Sequence, residues 1–147
     1  FELLEGITEL RPGTYSLMDA SMANACNALE RCSATILTTV ISRPTDERFI
    51  TDVGAKGLTA QTRKKGICAV EGMGMVKGEP GAYVSSVFDE HAIFYNKELR
   101  DKLKVGDKIE IIPVHICPVC NLYETAYLVS NGEVVQSIPV LCRGMQK

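Results

Sequence analysis

This sequence predicts a mainly β fold, a closed or nearly closed β-barrel or sandwich with one or two short helices. Three features carry the expectation. Runs rich in Val, Ile, Thr, Phe and Tyr recur along the chain. Gly, Pro, Asn and Asp break them at short intervals, and little of the rest has helical composition. With 147 residues the chain can bury one sizeable core but is too short for two ordinary domains.

In chain order, residues 13–19 alternate after the turn signal Arg11-Pro12-Gly13 and are expected to form a strand. Residues 19–31 hold the main helical pattern, with Asp19 or Ser21 as its N-cap. Residues 33–43 are β-branched up to Pro44 and predict a long strand; 47–53, closed by Gly54, predict a short one. Residues 66–76 are punctuated by glycine and fit no single template, and Gly72-x-Gly74 lacks the third glycine and the strand–helix setting of a nucleotide loop. Strands over 83–88 and 91–95 are expected to meet at Asp89-Glu90, with a helical turn or two over Asn96–Leu103. Leu103, Val105, Ile109 and Ile111 mark an apolar face, and Gly106-Asp107 turns the chain into a strand that delivers His115. Asn131-Gly132, between 124–130 and 133–140, is a strong hairpin signal.

A hydrophobic content of 46% with 23% charged residues describes a globular chain rather than a disordered one. The net charge of −2 leaves no basic face for phosphates, and Arg63-Lys64-Lys65 reads as a short solvated loop, which argues against a nucleic-acid partner. No apolar run reaches the roughly 18 residues of a membrane span, and the acidic start FELLEGITEL is unlike a secretory signal. A cytoplasmic protein is therefore expected, its six cysteines reduced, with Cys26, Cys32, Cys68 and Cys142 as small core hydrophobes. The chain opens at Phe1 in the middle of a structured-looking segment and reads as a piece of a longer protein.

The stretch IPVHICPVCNLY, residues 112–123, concentrates one of two histidines and two of six cysteines. On an extended strand, His115 and Cys117 point the same way and can approach one cation, while Pro113 and Pro118 stop the ladder from continuing. A structural zinc site would use the pair Cys117-x-x-Cys120 with a second such pair, which the chain lacks. A thiol redox pair would need a helix N-terminus at Cys117, which the β context does not suggest. From the residues alone the metal reading and plain sulfur-containing core stand level.

Five segments occurring in order break that tie: ELRPGTYSLMD (9–19), TTVISRP (38–44), DVGAKGLT (52–59), DEHAIF (89–94) and VGDKIEIIPVHICPVCNLYE (105–124). Together they resemble the C-terminal domain of the D-serine dehydratase and D-threonine aldolase family, pyridoxal-phosphate enzymes of the alanine-racemase fold type, over roughly residues 5–144. The resemblance implies that His115 and Cys117 bind a divalent metal, usually zinc. A His-x-Cys pair is the dehydratase-like form, and His-x-Asp the aldolase-like one. Cys120 falls where the family more often has a small or apolar residue, so no ligand role passes to it.

The resemblance further implies that the metal activates the β-hydroxyl of a D-serine- or D-threonine-like substrate for dehydration or retro-aldol cleavage. Pyridoxal phosphate would hold the carbanion electrons. Its lysine is expected on an N-terminal (β/α)8 barrel, which needs about 250 residues and is absent from this chain; the chain alone is then expected to be inactive. Lys56 is not promoted to that role; with Asp52 it is expected to form a structural ion pair or to line the cleft. Glu90 and His91 match an acidic-His segment of the family and are candidate catalytic residues, with a plain polar turn as the other reading. Tyr15 is expected to pack at a strand start. The implied partners are the chain's own pyridoxal-phosphate barrel, a second subunit in a homodimer, and a small D-amino acid. A racemase-type parent, and a non-catalytic barrel with a structural zinc or a redox pair at Cys117 and Cys120, remain as alternatives.

Overall fold

The computed structural model describes residues 5–141 and 143–145. Six antiparallel strands form one sheet: β1 (Ile36–Ser42), β2 (Arg48–Thr51), β3 (Gly74–Val76), β4 (Val84–Val87), β5 (Ala92–Tyr95) and β6 (Lys108–Pro113), in the order β3-β6-β1-β2-β5-β4. Its two edges approach each other. Met75 bridges Tyr83, Met73 N–H donates to the Val84 carbonyl at 3.0 Å, and Val76 N–H donates to the Ala82 carbonyl at 2.8 Å. The sheet is thus a nearly closed barrel, and closure leaves few open strand edges.

Period-2 alternation explains how the barrel fills. Along β1, Ile36, Thr38 and Val40 face inward, while Leu37 and Ile41 face out. Phe49 on β2 lies opposite Phe94 on β5; the two fully buried rings stack with centroids 4.5 Å apart. Val84, Leu58 and Ile111 complete the centre of the core. Each such large side chain contributes about 1.5–3 kcal/mol by leaving water.

Strand β6 departs from alternation at its end. Ile111 enters the barrel core, whereas Ile112 on the opposite face is buried in a second cluster with Met18, Ala20, Ala23, Cys32 and Met75. Helix α1 (Ala20–Cys26) supplies that cover. The Asp19 side chain caps it by accepting from Met22 N–H at 2.8 Å, and Asn27 ends it in the left-handed region at φ 49°. A separate 3-10 turn, Leu29–Arg31, follows, so the single helix expected over 19–31 is broken at Asn27.

Residues 13–19 are not a strand. Thr14–Ser16 form a 3-10 turn, closed by Met18 N–H to the Thr14 carbonyl at 2.7 Å, and Tyr15 is 64% exposed instead of packed at a strand start. Alternation over so few residues cannot distinguish a strand from a turn with one side buried. The region 66–76 resolves into turns followed by β3. A Cβ at Gly72 (φ +71°) would lie 2.5 Å from the Val84 carbonyl oxygen, so the close approach of this turn to β4 requires glycine.

Short helices are more numerous than the sequence suggests. Helix α2 (Ala55–Leu58) follows β2, helix α3 (Lys97–Lys102) is capped by Asn96 accepting from Leu99 N–H at 2.9 Å, and helix α4 (Ile116–Cys120) follows β6. The expected hairpin is present as β7 (Thr125–Ser130) and β8 (Glu133–Pro139), a sheet of its own. Asn131 at φ 52° and Gly132 at φ 82° give the two left-handed residues of a type I′ turn.

Among the described residues no helix is long and apolar enough to cross a membrane. Of the cysteines expected in the core, Cys32 is buried and Cys68 half-buried, but Cys26 is exposed, because it ends α1 on the solvent side; Cys142 lies outside the described residues. All five described cysteines are free thiols.

Candidate functional site

Strand β6 ends at Pro113, and the chain turns at once into α4 with His115, still extended at φ −147°, as its N-cap. The expectation that His115 and Cys117 share one strand face is therefore corrected. Cys117 is the second residue of a five-residue helix, and Pro118 fits there because a first turn has no amide partner to lose.

Two buried side chains hold the peptides flanking His115. Ser21 Oγ donates to the Val114 carbonyl at 2.7 Å, and Ile116 N–H donates to Asp19 Oδ2 at 3.1 Å. Asp19 is 1% exposed and Ser21 fully buried, so both ties are shielded from water. Asp19 thus fastens the starts of two helices that are 97 residues apart in sequence. As a result the half-buried imidazole leaves the barrel end in a set direction.

Its Nδ1 lies 3.1 Å from Gln61 Oε1 and 3.1 Å from Arg63 Nη2. One nitrogen cannot donate to Gln61 and accept from Arg63 together, so these contacts belong to different tautomers. Among the described residues, Nε2 has no hydrogen-bond partner. Burial first, and the Arg63 charge second, hold the imidazole pKa below its ordinary value, against an opposing pull from Asp19. The neutral form, the one that can ligate a metal, is thereby favoured.

Cys117 is exposed, and its Sγ lies 3.7 Å from Thr14 Oγ1, which brings the RPGTY turn against the His-x-Cys segment. A helix does begin at this motif, as a redox pair needs and as the β context did not suggest, yet Cys120 packs against the barrel core. Burial and then the neighbouring Cys117 push the Cys120 thiol pKa up. Among the described residues no three of His, Cys, Asp and Glu gather around a cation position. An imidazole nitrogen and a thiolate sulfur nonetheless form a donor set suited to zinc, with coordination positions left open.

The other candidates lie apart. Glu90 and His91 are exposed in the β4–β5 turn, in a groove shared with Ala55, Lys56 and Phe88 that includes neither His115 nor Cys117. Glu90 accepts from Lys56 Nζ at 2.8 Å, and that hydrogen bond holds the carboxyl pKa below its ordinary value. Lys56 does not pair with Asp52, whose Oδ1 accepts from Thr38 Oγ1 at 2.6 Å and Thr39 N–H at 2.8 Å. The DVGAKG and DEHAIF segments pack on each other. Ala55 and Lys56 N–H donate to the Phe88 and Asp89 carbonyls at 2.7 and 3.1 Å, and Tyr123 Oη donates to the Gly57 carbonyl at 2.9 Å.

Sequence reasoning missed Gln61 and Arg63 as neighbours of the site. Arg63 reads as part of a solvated basic loop, but it is half-buried. Its backbone is bridged to Val70, a partner not visible in local pattern. Asp19 was visible only as a helix cap.

Fold and site together define a nearly closed β-barrel domain that presents a nitrogen and a sulfur donor at the end of one strand. Residues 33–129 match the family described as "Putative serine dehydratase domain". The chain belongs to this D-serine dehydratase-type family. It is 30% identical over its whole length to a D-threonine aldolase from Arthrobacter sp, and spans 38% of that protein. Over 98% of its length it is 33% identical to a 3-hydroxy-D-aspartate aldolase from Paracoccus denitrificans, spanning 37% of it. The solved structure of a D-threo-3-hydroxyaspartate dehydratase from Delftia sp. HT23 superposes with a TM-score of 0.80 at 25% identity, over 95% of this chain and 40% of that one. Dehydratase structures of that name also include a histidine-to-alanine variant and a cysteine-to-alanine variant in the metal-free form, the two positions being two residues apart.

Proposed function

We propose that this chain is the metal-carrying domain of a pyridoxal-phosphate-dependent lyase acting on small β-hydroxy-D-amino acids. The observation that carries the proposal is the His115–Cys117 pair, held at the end of β6 by Ser21 and Asp19, with Nε2 without a partner among the described residues and Cys117 an exposed free thiol beside Thr14. The metal-free cysteine variant of the dehydratase supports it by its two-residue spacing from the histidine variant.

In this reading His115 Nε2 and Cys117 Sγ are the protein ligands of zinc or another divalent cation. Gln61 Oε1 accepts the Nδ1 proton and so keeps the lone pair on Nε2. A bound cation supplies Lewis acidity to the substrate β-hydroxyl, making it a better leaving group or a more acidic hydroxyl. The His-x-Cys form favours dehydration with deamination; retro-aldol cleavage uses the same ligation. The substrates named for the relatives are of two kinds at the hydroxyl-bearing carbon, neutral in serine and threonine and carboxylated in 3-hydroxyaspartate.

The remainder of the parent protein would supply the pyridoxal-phosphate lysine on an N-terminal barrel, and a second subunit would complete a homodimer. The β7–β8 hairpin supports such an assembly. It is exposed on both faces, Tyr127, Val129, Val134 and Val135 each being more than half exposed, and an isolated two-stranded sheet is marginal in water. Glu90 and His91 contribute as exposed groups of a second groove that this assembly would cover. The free thiols fit a reducing, cytoplasmic location.

The test is metal content after zinc loading and desalting, for the full-length protein carrying this chain and its His115→Ala and Cys117→Ala variants, with circular dichroism to monitor the fold. About one zinc per chain in the wild type, lost in both folded variants, is expected. Zinc retained by folded His115→Ala, or none retained by the wild type, overturns the assignment.

A further inference from the structure

Arg63 is the strongest unassigned feature of the site. Its guanidinium Nη2 sits 3.1 Å from His115 Nδ1, and among the described residues no carboxylate lies within ion-pair distance of it. The nearby Asp19 carboxylate is already engaged by the Met22 and Ile116 amides. Lys64 and Lys65, next in sequence, are exposed and add positive charge. A half-buried cation against a neutral ring is poorly compensated, because burial removes water without supplying an anion.

The arginine is also held in place. Val70 N–H donates to the Arg63 carbonyl at 2.8 Å, the two residues form a β-bridge, and Asn24 Nδ2 ties the adjoining Ala69 carbonyl to α1 at 2.7 Å. Val70 in turn packs against the cluster beneath α1. The guanidinium is therefore presented from a braced segment, the condition for selective recognition.

Resting on the lyase reading above, we propose that Arg63 is a carboxylate receptor that selects substrates bearing an anionic group on the hydroxyl-bearing carbon, the 3-hydroxy-D-aspartate kind. A cation on Nε2 requires Nδ1 to keep its proton and donate to Gln61, which excludes the Arg63 contact to Nδ1. Metal loading thus frees the guanidinium while placing a second positive charge across the same ring. The two cations repel across the ring, and an anion reaching both along the ring edge offsets that repulsion. A carboxylate on the carbon whose hydroxyl meets the metal can lie there, accepting the planar N–H fork of arginine. The hydrogen of serine and the methyl of threonine at that carbon offer neither charge nor acceptor.

The test uses the full-length protein loaded with metal and pyridoxal phosphate, as wild type, Arg63→Gln and Arg63→Lys. The ratio of kcat/KM for 3-hydroxy-D-aspartate to that for D-threonine is expected to fall about 50-fold in Arg63→Gln, with partial recovery in Arg63→Lys, which keeps the charge but not the fork. A structural role for Arg63 would lower both values and leave the ratio unchanged, which overturns the proposal. Calorimetric binding of malate, whose hydroxyl and one carboxylate share a carbon, gives a readout independent of turnover. It is expected to weaken about tenfold or more in Arg63→Gln and also in His115→Ala. Malate binding lost in His115→Ala but retained in Arg63→Gln refutes the Arg63 assignment and leaves the metal site standing. Binding lost in Arg63→Gln but retained in His115→Ala refutes the metal pair instead.

Discussion

Asp19 connects the stability of the domain to the geometry of the His115 site, and replacing it tests that connection. Its carboxylate is 1% exposed and accepts two amide protons, from Met22 at 2.8 Å and Ile116 at 3.1 Å. Asp19→Ala removes both acceptors. Loss of the helix cap costs about 1 kcal/mol. The Ile116 amide, left inside without its partner, costs about 1–3 kcal/mol more. The sum, about 2–4 kcal/mol, is a large part of a total stability of about 5–15 kcal/mol. At about 2–4 °C per kcal/mol for a domain of this size, the thermal midpoint falls by about 5–15 °C.

Asp19→Asn keeps one acceptor oxygen and should lose about half as much stability. Urea and thermal unfolding followed by circular dichroism measure these losses. Calorimetric zinc titration well below the transition measures the consequence for the site. Zinc affinity should fall about tenfold in Asp19→Ala, because the peptide following His115 is no longer anchored. Asp19→Ala within about 0.5 kcal/mol of the wild type would refute the bridging role. Lowered stability with undiminished zinc affinity would show that the bridge holds the fold without orienting the imidazole.

Two further perturbations probe the packing of the other family segments. In Gly54→Ala the new Cβ would lie 2.3 Å from the Phe88 carbonyl oxygen and 2.4 Å from Glu90 N. Both are backbone atoms, so α2 must part from the β4–β5 turn, at about 2–4 kcal/mol; a denaturation midpoint equal to that of the wild type would disprove the contact. The Asp52 carboxyl is raised by burial but lowered more by hydrogen bonds from Thr38 and Thr39, so its folded pKa lies below the ordinary 3.8. A depressed folded pKa contributes stability above the unfolded value, lost as pH falls through 3.8 and then through the folded value. Asp52→Ala should flatten stability against pH in that acid window, and an unchanged slope would show that Asp52 makes no such contribution.

Strand content, the Asn131-Gly132 turn and the position of His115 at a strand end are all legible in the sequence. Each depends on neighbours a few residues away, through side-chain alternation, turn dihedrals or the backbone limits of proline. The family segments that occur in order also mark His115 and Cys117 as a pair. Local pattern misjudged residues 13–19 and 116–120, both next to proline or glycine and too short for periodicity to separate a helical turn from a strand. Only the folded chain decided which residues surround the imidazole. Gln61 and Arg63 reach it from the loop bridged to Val70, Asp19 and Ser21 at the start of α1 hold the peptides on either side of His115, and Thr14 meets Cys117 across 103 residues of sequence. Buried polar groups must find partners wherever the chain brings them, and closure of the barrel, not sequence spacing, determines which partners are within reach.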